Sequence, residues 1–97
     1  VGYYQEATAA NSAVSRIAGT PVTITAGASN FANGGACPAG TTLISGENDF
    51  TGNDVSIGES RQTTATVWTM WQINHDAVSR TTTVYSRCLD TPVKALP

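Results

Sequence analysis

The stretch Thr66–Asn74 has the sequence TVWTMWQIN, and it decides the fold class. It contains no charged residue, no glycine and no proline, and β-branched and aromatic residues dominate it. Such residues suit a pleated, half-buried surface, so the stretch predicts a β-strand. The segment Arg80–Leu89 (RTTTVYSRCL) has the same character, and the polar residues 74–77 lie between the two. We therefore expect the two strands to form an antiparallel hairpin.

The expected hairpin carries large apolar groups on both faces. With a turn at residues 75–77, Trp68 opposes Val84 on one face, together with Met70 and Cys88. The other face carries Val67, Trp71, Ile73, Tyr85 and Arg87. Because a half-exposed strand normally has one polar face, either both faces are covered or the second face is a binding surface. The candidate binding patch is Trp71, Tyr85 and Arg87, whose residue types dominate protein interfaces.

Further short strands are predicted along the chain, separated by Gly, Asn and Pro signals. They are Val22–Thr25, Thr41–Ser45 and Val55–Ile57, with loops at residues 30–36 and 46–54. Thr and Ser make up 23 of the 97 residues, which favours strands and turns over helices. We expect an all-β fold, a small antiparallel β-sandwich that is immunoglobulin-like or related. The domain division is an N-terminal strand or arm at 1–19, a sandwich core at 20–89 and an irregular tail at 90–97.

Charge and hydropathy exclude several functional classes. The formal net charge is −2, and charged residues make up only 12% of the chain. Nucleic-acid-binding proteins carry clustered Lys and Arg, which this chain lacks. No apolar run approaches the roughly 20 residues needed to span a membrane. We expect neither a nucleic-acid partner nor a membrane span.

The two cysteines, Cys37 and Cys88, favour a disulfide. A zinc site needs about four ligands, and the chain adds only one histidine, so zinc is disfavoured. Two buried free thiols are the alternative. A disulfide implies an oxidising compartment, so we expect a secreted or cell-surface protein.

Three motifs resemble a small domain that recurs in secreted proteins of actinobacteria and other bacteria. They are the turn Cys37–Gly40 (CPAG), the Trp-led strand Trp68–Asn74 and the ending Tyr85–Cys88 (Tyr-x-x-Cys). The similarity spans about residues 20–89. It implies an extracellular β-sandwich with paired cysteines, and it carries no established activity. The chain departs from the pattern after Gly46, where acidic residues replace glycines.

Two further groups are candidates for metal binding or catalysis. Glu47, Asp49 and Asp54 offer oxygen ligands for calcium, but their spacing matches no EF-hand, so a solvated loop is the favoured interpretation. His75 precedes Asp76 and lies near Ser79, but neighbours on a tight turn rarely converge on one centre. We expect no cofactor and no enzymatic activity.

The N-terminal arm is the candidate for self-association. No Asp, Glu, Lys or Arg lies between Arg61 and Asp76, so an open edge there is an aggregation hazard. An added strand covers such an edge. The segment Tyr3–Ala10, with Tyr3 and Tyr4, is the expected source, from its own domain or from a neighbouring copy.

The expected function is therefore an extracellular, non-enzymatic structural or adhesive module that associates with itself in a fibre or surface assembly. A carbohydrate-binding module that uses Trp71 and Tyr85 is one alternative. A small secreted inhibitor that presents residues 46–54 to a hydrolase is another.

The cysteine pairing predicts a mass difference. The intact mass of the unreduced protein should be lower, by two hydrogen atoms, than that of the fully reduced chain. Free thiols at both positions, detected by alkylation of protein unfolded without reductant, would contradict both the disulfide and the secreted location.

Overall fold

The computed structural model describes residues 13–90, which form seven strands and no helix. The strands are β1 (Val14–Ala18), β2 (Val22–Ile24), β3 (Ser29–Asn33), β4 (Thr41–Phe50), β5 (Val55–Gln62), β6 (Trp68–Asn74) and β7 (Arg80–Asp90). The prediction of an all-β fold is confirmed. The expected strand Tyr3–Ala10 and the tail beyond residue 90 lie outside the described residues.

The strands form two antiparallel sheets, called here sheet A and sheet B. In sheet A, β7 is central. It pairs with β1 and β2 along one edge and with β4 along the other. In sheet B, β6 is central and pairs with β3 and β5. The sheets pack face to face, so the fold is a small β-sandwich.

Several predicted boundaries need correction. The strand β3 lies partly in a predicted loop, because Asn30, Asn33 and the glycines that follow suggested a turn. The strand β4 runs through Phe50, so half of the predicted acidic loop is strand. The strand β1 pairs with β7 along its full length, so the sandwich begins before residue 20.

The prediction of a hairpin between β6 and β7 is wrong. The two strands lie in different sheets, and the chain crosses from sheet B to sheet A between Asn74 and Arg80. The predicted uncharged edge is also absent, since both edges of β6 are paired within the same chain. The reason given for an added N-terminal strand therefore does not apply to β6.

The side chain of Asn74 holds this crossing. It is fully buried, and its Nδ2 donates to the carbonyl oxygens of Ile24 and Val78, at 2.9 Å each. Its Oδ1 accepts from the Asp76 N–H at 2.9 Å. A carbonyl buried without a partner costs about 1–3 kcal/mol, so a buried amide at this position stabilises the crossing.

The apolar core has two clusters, joined by Trp68. One cluster contains Ala32, Met70 and Val84, and the other contains Cys37, Leu43 and Cys88. Trp68 packs against both clusters, and its indole Nε1 donates to the Ser60 hydroxyl at 2.8 Å. Trp68 is therefore the side chain that connects the two clusters of the core.

The disulfide lies inside the second cluster. Cys37 and Cys88 are bonded, with their Cα atoms 5.7 Å apart, and both residues are buried. The bond ties the connection before β4 to the central strand of sheet A. Closing a loop of this length stabilises a fold by about 4 kcal/mol in the chain-entropy model. That is a large share of the stability expected for a small domain.

Polar side chains fill the rest of the interior. Gln72 is fully buried, and its Oε1 accepts hydrogen bonds from Asn48 Nδ2 at 2.9 Å and from the Thr82 hydroxyl at 2.8 Å. The Ser86 hydroxyl accepts from the Trp68 N–H at 3.1 Å. These bonds connect sheet A with sheet B, so their directional geometry helps to align the two sheets.

Gly46 makes room for Trp68, and this contact gives a test of the packing. A Cβ atom at Gly46 would lie 2.0 Å from the indole Cδ1. We expect Gly46→Val to lower the free energy of unfolding by about 2–3 kcal/mol, because overpacking forces the indole or the backbone to move. Urea denaturation followed by far-UV circular dichroism measures this.

The matched control is Ser45→Val, which introduces the same side chain one residue earlier. Ser45 pairs with Arg87 on the outer side of β4. We expect a change of about 0.5 kcal/mol or less. Equal losses for the two variants would contradict the assigned contact between Gly46 and Trp68.

Candidate functional site

The crossing between sheets separates the residues of the predicted patch. Trp71 lies on β6 in sheet B, whereas Tyr85 and Arg87 lie on β7 in sheet A. Along both strands the even-numbered positions face the interior and the odd-numbered positions point away from it. Trp71 and Tyr85 therefore lie on opposite outer faces of the sandwich, and the single patch is a wrong prediction. Tyr3 and Tyr4, the other predicted interface residues, lie outside the described residues.

The outer face of sheet A carries a charged cluster around Arg16. The Arg16 guanidinium stacks on the Tyr85 ring, 4.0 Å from its centroid, and is hydrogen-bonded to Glu47. One of its terminal nitrogens lies 3.6 Å from an Asp49 carboxylate oxygen. The hydrogen bond to Glu47 raises the pKa of Arg16 above its usual value. The cluster is largely exposed, and exposed ion pairs contribute little to stability.

Arg87 is the other cation on this face. It lies directly opposite Arg16 in the pairing of β1 with β7, and one of its terminal nitrogens donates to the Ser45 hydroxyl at 3.2 Å. It makes no ion pair with a carboxylate among residues 13–90.

The predicted calcium ligands do not form a loop. Glu47 and Asp49 lie on β4, where Arg16 engages both carboxylates, and Asp54 comes after the strand has ended. Within residues 13–90, no group of three or more His, Cys, Asp or Glu side chains is arranged to hold a metal ion. Glu47 and Asp49 are therefore ion-pair partners of Arg16 on the outer face of sheet A.

His75 has a serine partner, although not the one predicted. Its Nε2 lies 2.8 Å from the Ser56 hydroxyl, while Ser79 makes no such contact. Asp76 pairs with Arg80 at 2.7 Å, so it does not orient the imidazole. No carboxylate in the described part of the chain hydrogen-bonds to His75. A nucleophilic serine needs a base that is itself oriented by a third group, and this exposed pair has none.

This arrangement predicts that the Ser56–His75 pair is catalytically inert. We expect the protein to hydrolyse p-nitrophenyl acetate no faster than the Ser56→Ala variant does, measured by nitrophenolate release. Addition of EDTA should leave the rate unchanged. A rate that falls with Ser56→Ala or with His75→Ala would instead identify the pair as a nucleophile and base.

The outer face of sheet B carries an exposed aromatic pair. Phe31 on β3 opposes Trp71 on β6, and their ring centroids are 4.5 Å apart with planes inclined at 58°. Phe31 is 46% exposed, which is unusual for a phenylalanine. Trp71 lies over Gly58, the bulge residue of β5, where a Cβ atom would come within 2.8 Å of the indole Cδ1. The glycine thus lets the indole lie across the sheet.

Two hollows flank Phe31. One, of about 630 Å³, lies between the β1–β2 connection and β3, and is lined by Gly19, Pro21 and Gly34 among others. The other, of about 350 Å³, is lined by Phe31, Asn33, Arg61, Thr63 and Thr69. Phe31 and Asn33 border both hollows. A ligand stacked on Phe31 therefore has open space on either side.

The sequence predicts Trp71 as a binding residue and gives no signal for Phe31. With Phe31 on β3 beside Trp71 on β6, the surface is aromatic on two adjacent strands. The missing signal was strand β3. Had Ser29–Asn33 been recognised as a strand, its outward positions would have been 29, 31 and 33. The pairing of β3 with β6 would still have been unknown.

Comparison with known proteins gives one partial family match. The sequence profile of one family, described as the CC domain, matches residues 25–48, about a quarter of the chain. No curated protein and no solved structure matches the chain. The described residues also contain no helix that is long and apolar enough to cross a bilayer.

Proposed function

We propose that the chain is an extracellular, non-enzymatic binding module whose ligand is a glycan, bound on the outer face of sheet B. The observation that carries the proposal is the Phe31–Trp71 pair on an open sheet face. The electron-rich face of an aromatic ring attracts the slightly positive C–H groups on the apolar face of a sugar ring. The same surface also offers hydroxyl, amide and guanidinium groups for the sugar hydroxyls.

The size of the face supports a small ligand over a stable protein partner. Three strands spaced about 4.8 Å apart and about seven residues long have a flat outline of roughly 300 Å², which is less than the accessible surface their side chains present. Stable protein–protein interfaces bury about 800 Å² on each partner. The aromatic pair and its polar rim suit a few sugar rings, and both hollows beside Phe31 leave space for a chain to continue.

The extracellular location rests on the disulfide and on the resemblance to domains of secreted bacterial proteins. The disulfide is buried within the core, and such bonds persist in oxidising compartments. The resemblance comes without an assigned activity, so it supports the location and not the ligand.

Self-association through an exchanged strand is the competing proposal. The uncharged edge expected on β6 is not available to an added strand, because β3 and β5 pair with both edges of β6. At two of the four sheet edges, those of β4 and β5, a bulge and charged side chains discourage edge-to-edge pairing. The inhibitor proposal loses about half of its loop, because residues 46–50 belong to β4.

The proposal predicts which aromatic residues matter for binding. We expect Phe31→Ala to weaken binding to a bound glycan about tenfold, since about 50 Å² of apolar contact is lost. Trp71→Ala should abolish binding. A glycan array followed by isothermal titration calorimetry identifies the ligand and measures the change.

Tyr85→Ala is the matched control, because Tyr85 is an aromatic residue on the outer face of the other sheet. It should bind like the wild type. Loss of binding with Tyr85→Ala alone would move the site to sheet A. A chain that binds no glycan but forms concentration-dependent oligomers in size-exclusion chromatography would support self-association instead.

A further inference from the structure

We infer that the glycan carries carboxylate groups, and that the hollow beside Phe31 selects a uronic acid over a neutral sugar. This inference rests on the proposed function and names the ligand class. The hollow lies between Phe31 and the β5 edge of sheet B, and it is lined by Asn33, Arg61, Thr63 and Thr69. Its volume of about 350 Å³ is near the lower end of the range for small-molecule sites.

A chain of hydroxyl groups orients the Asn33 amide. The Thr69 hydroxyl donates to Asn33 Oδ1 at 2.7 Å, and the Thr63 and Thr69 hydroxyl oxygens are 2.7 Å apart. Because the Thr69 proton goes to Asn33, Thr63 is the donor to Thr69. The other acceptor near Thr63 is the Val67 carbonyl at 3.4 Å, a longer contact than the 2.7 Å to Thr69.

Thr69 is a buried polar side chain on an otherwise exposed face. It is only 7% exposed, and it lies between Asn33 and Arg61 in the pairing of the three strands. The Thr69 hydroxyl is hydrogen-bonded to both Asn33 and Thr63, and it therefore holds the Asn33 amide in one orientation. The consequence is that Asn33 turns its oxygen toward Thr69 and keeps its two N–H groups for another acceptor.

Arg61 adds further donors to the same hollow. Its Nε donates to Glu59 at 3.2 Å, and its side chain is 58% exposed. Within the described residues, no hydrogen bond uses its terminal nitrogens or the Nδ2 of Asn33. The hollow therefore presents donors from two side chains and no unpaired carboxylate, since Glu59 is engaged on the Nε side.

A surface that presents only hydrogen-bond donors suits a ligand group that only accepts hydrogen bonds. A sugar carboxylate has two acceptor oxygens and a negative charge, and hydrogen bonds from a guanidinium to a carboxylate are about twice as strong as neutral ones. A sugar stacked on Phe31 would place an attached carboxylate beside Arg61 and Asn33. Neutral sugars would keep the stacking and lose the charge-assisted bonds.

The test compares each polymer with its own uncharged form. Polygalacturonate, alginate and hyaluronan are each prepared as the sodium salt, called here the acid form, and as the methyl ester, and binding to the full chain at neutral pH is measured by titration calorimetry. We expect at least one acid form to bind roughly ten- to hundredfold more tightly than its ester at low salt. The preference should shrink as salt is added.

Variants assign the preference to named side chains. Arg61→Gln should remove the preference for the acid, because the carboxylate loses its charge-assisted hydrogen bonds and binds no more tightly than the ester. Asn33→Asp should do the same, because a carboxylate there repels the ligand. Thr69→Val should weaken the preference and Thr69→Ser should keep it, which separates orientation of Asn33 from loss of packing. Arg87→Gln, on the opposite face, is the charge-matched control and should bind like the wild type.

The outcomes separate this inference from the proposed function. Equal affinity for acid and ester, with both weakened in Phe31→Ala and lost in Trp71→Ala, overturns the uronate inference and keeps the glycan site. An acid preference that disappears with Arg87→Gln overturns the inference by moving the charge recognition to sheet A. If no glycan on the array and neither form of any of the three polymers binds, both the inference and the proposed function fail.

Discussion

The amide of Asn74 closes the crossing between the two sheets, and the arrangement of the remaining strands depends on it. Ile24 ends a strand of sheet A, Val78 belongs to the crossing itself, and one side chain satisfies the carbonyl groups of both. A hairpin at this position would leave β6 and β7 as neighbours in one sheet. The crossing instead makes each of them the central strand of its own sheet, with partners on both edges.

Two outer faces of different character follow from that crossing. On sheet A, Arg16 engages Glu47 and Asp49 and covers Tyr85, so its charges largely satisfy one another. On sheet B, Phe31 and Trp71 form an aromatic surface beside the donors of Asn33 and Arg61. On the face of sheet B, hydrogen-bond donors of Asn33 and Arg61 have no partner among the described residues. This difference makes the face of sheet B the better candidate for a ligand.

The interior explains how so small a domain holds these faces in place. Only a few large apolar side chains are buried, so Trp68 joins both clusters and the Cys37–Cys88 bond ties the second cluster together. Gln72 and Ser86 add hydrogen bonds between the sheets. Such bonds contribute modestly to stability but depend strongly on geometry, so they favour one alignment of the sheets over others that apolar packing alone would allow.

The sequence by itself determined the all-β class, the pairing of the cysteines and the inward-facing positions of β6 and β7. The strand positions follow from local preference and from a period of two, which do not depend on the partner of a strand. The cysteine pairing follows from there being two cysteines and too few other ligands for a zinc site. The even-numbered positions from Trp68 to Asn74 and from Thr82 to Cys88 face the interior in a hairpin and in a sandwich alike. Only the tertiary structure decided which strands pair, and therefore that Trp71 lies beside Phe31 and far from Tyr85. The physical reason is that a polar turn such as residues 74–79 is compatible with either connection, and the partners that fit only the crossing are distant in sequence: Asn74 donates to the carbonyl of Ile24, fifty residues away.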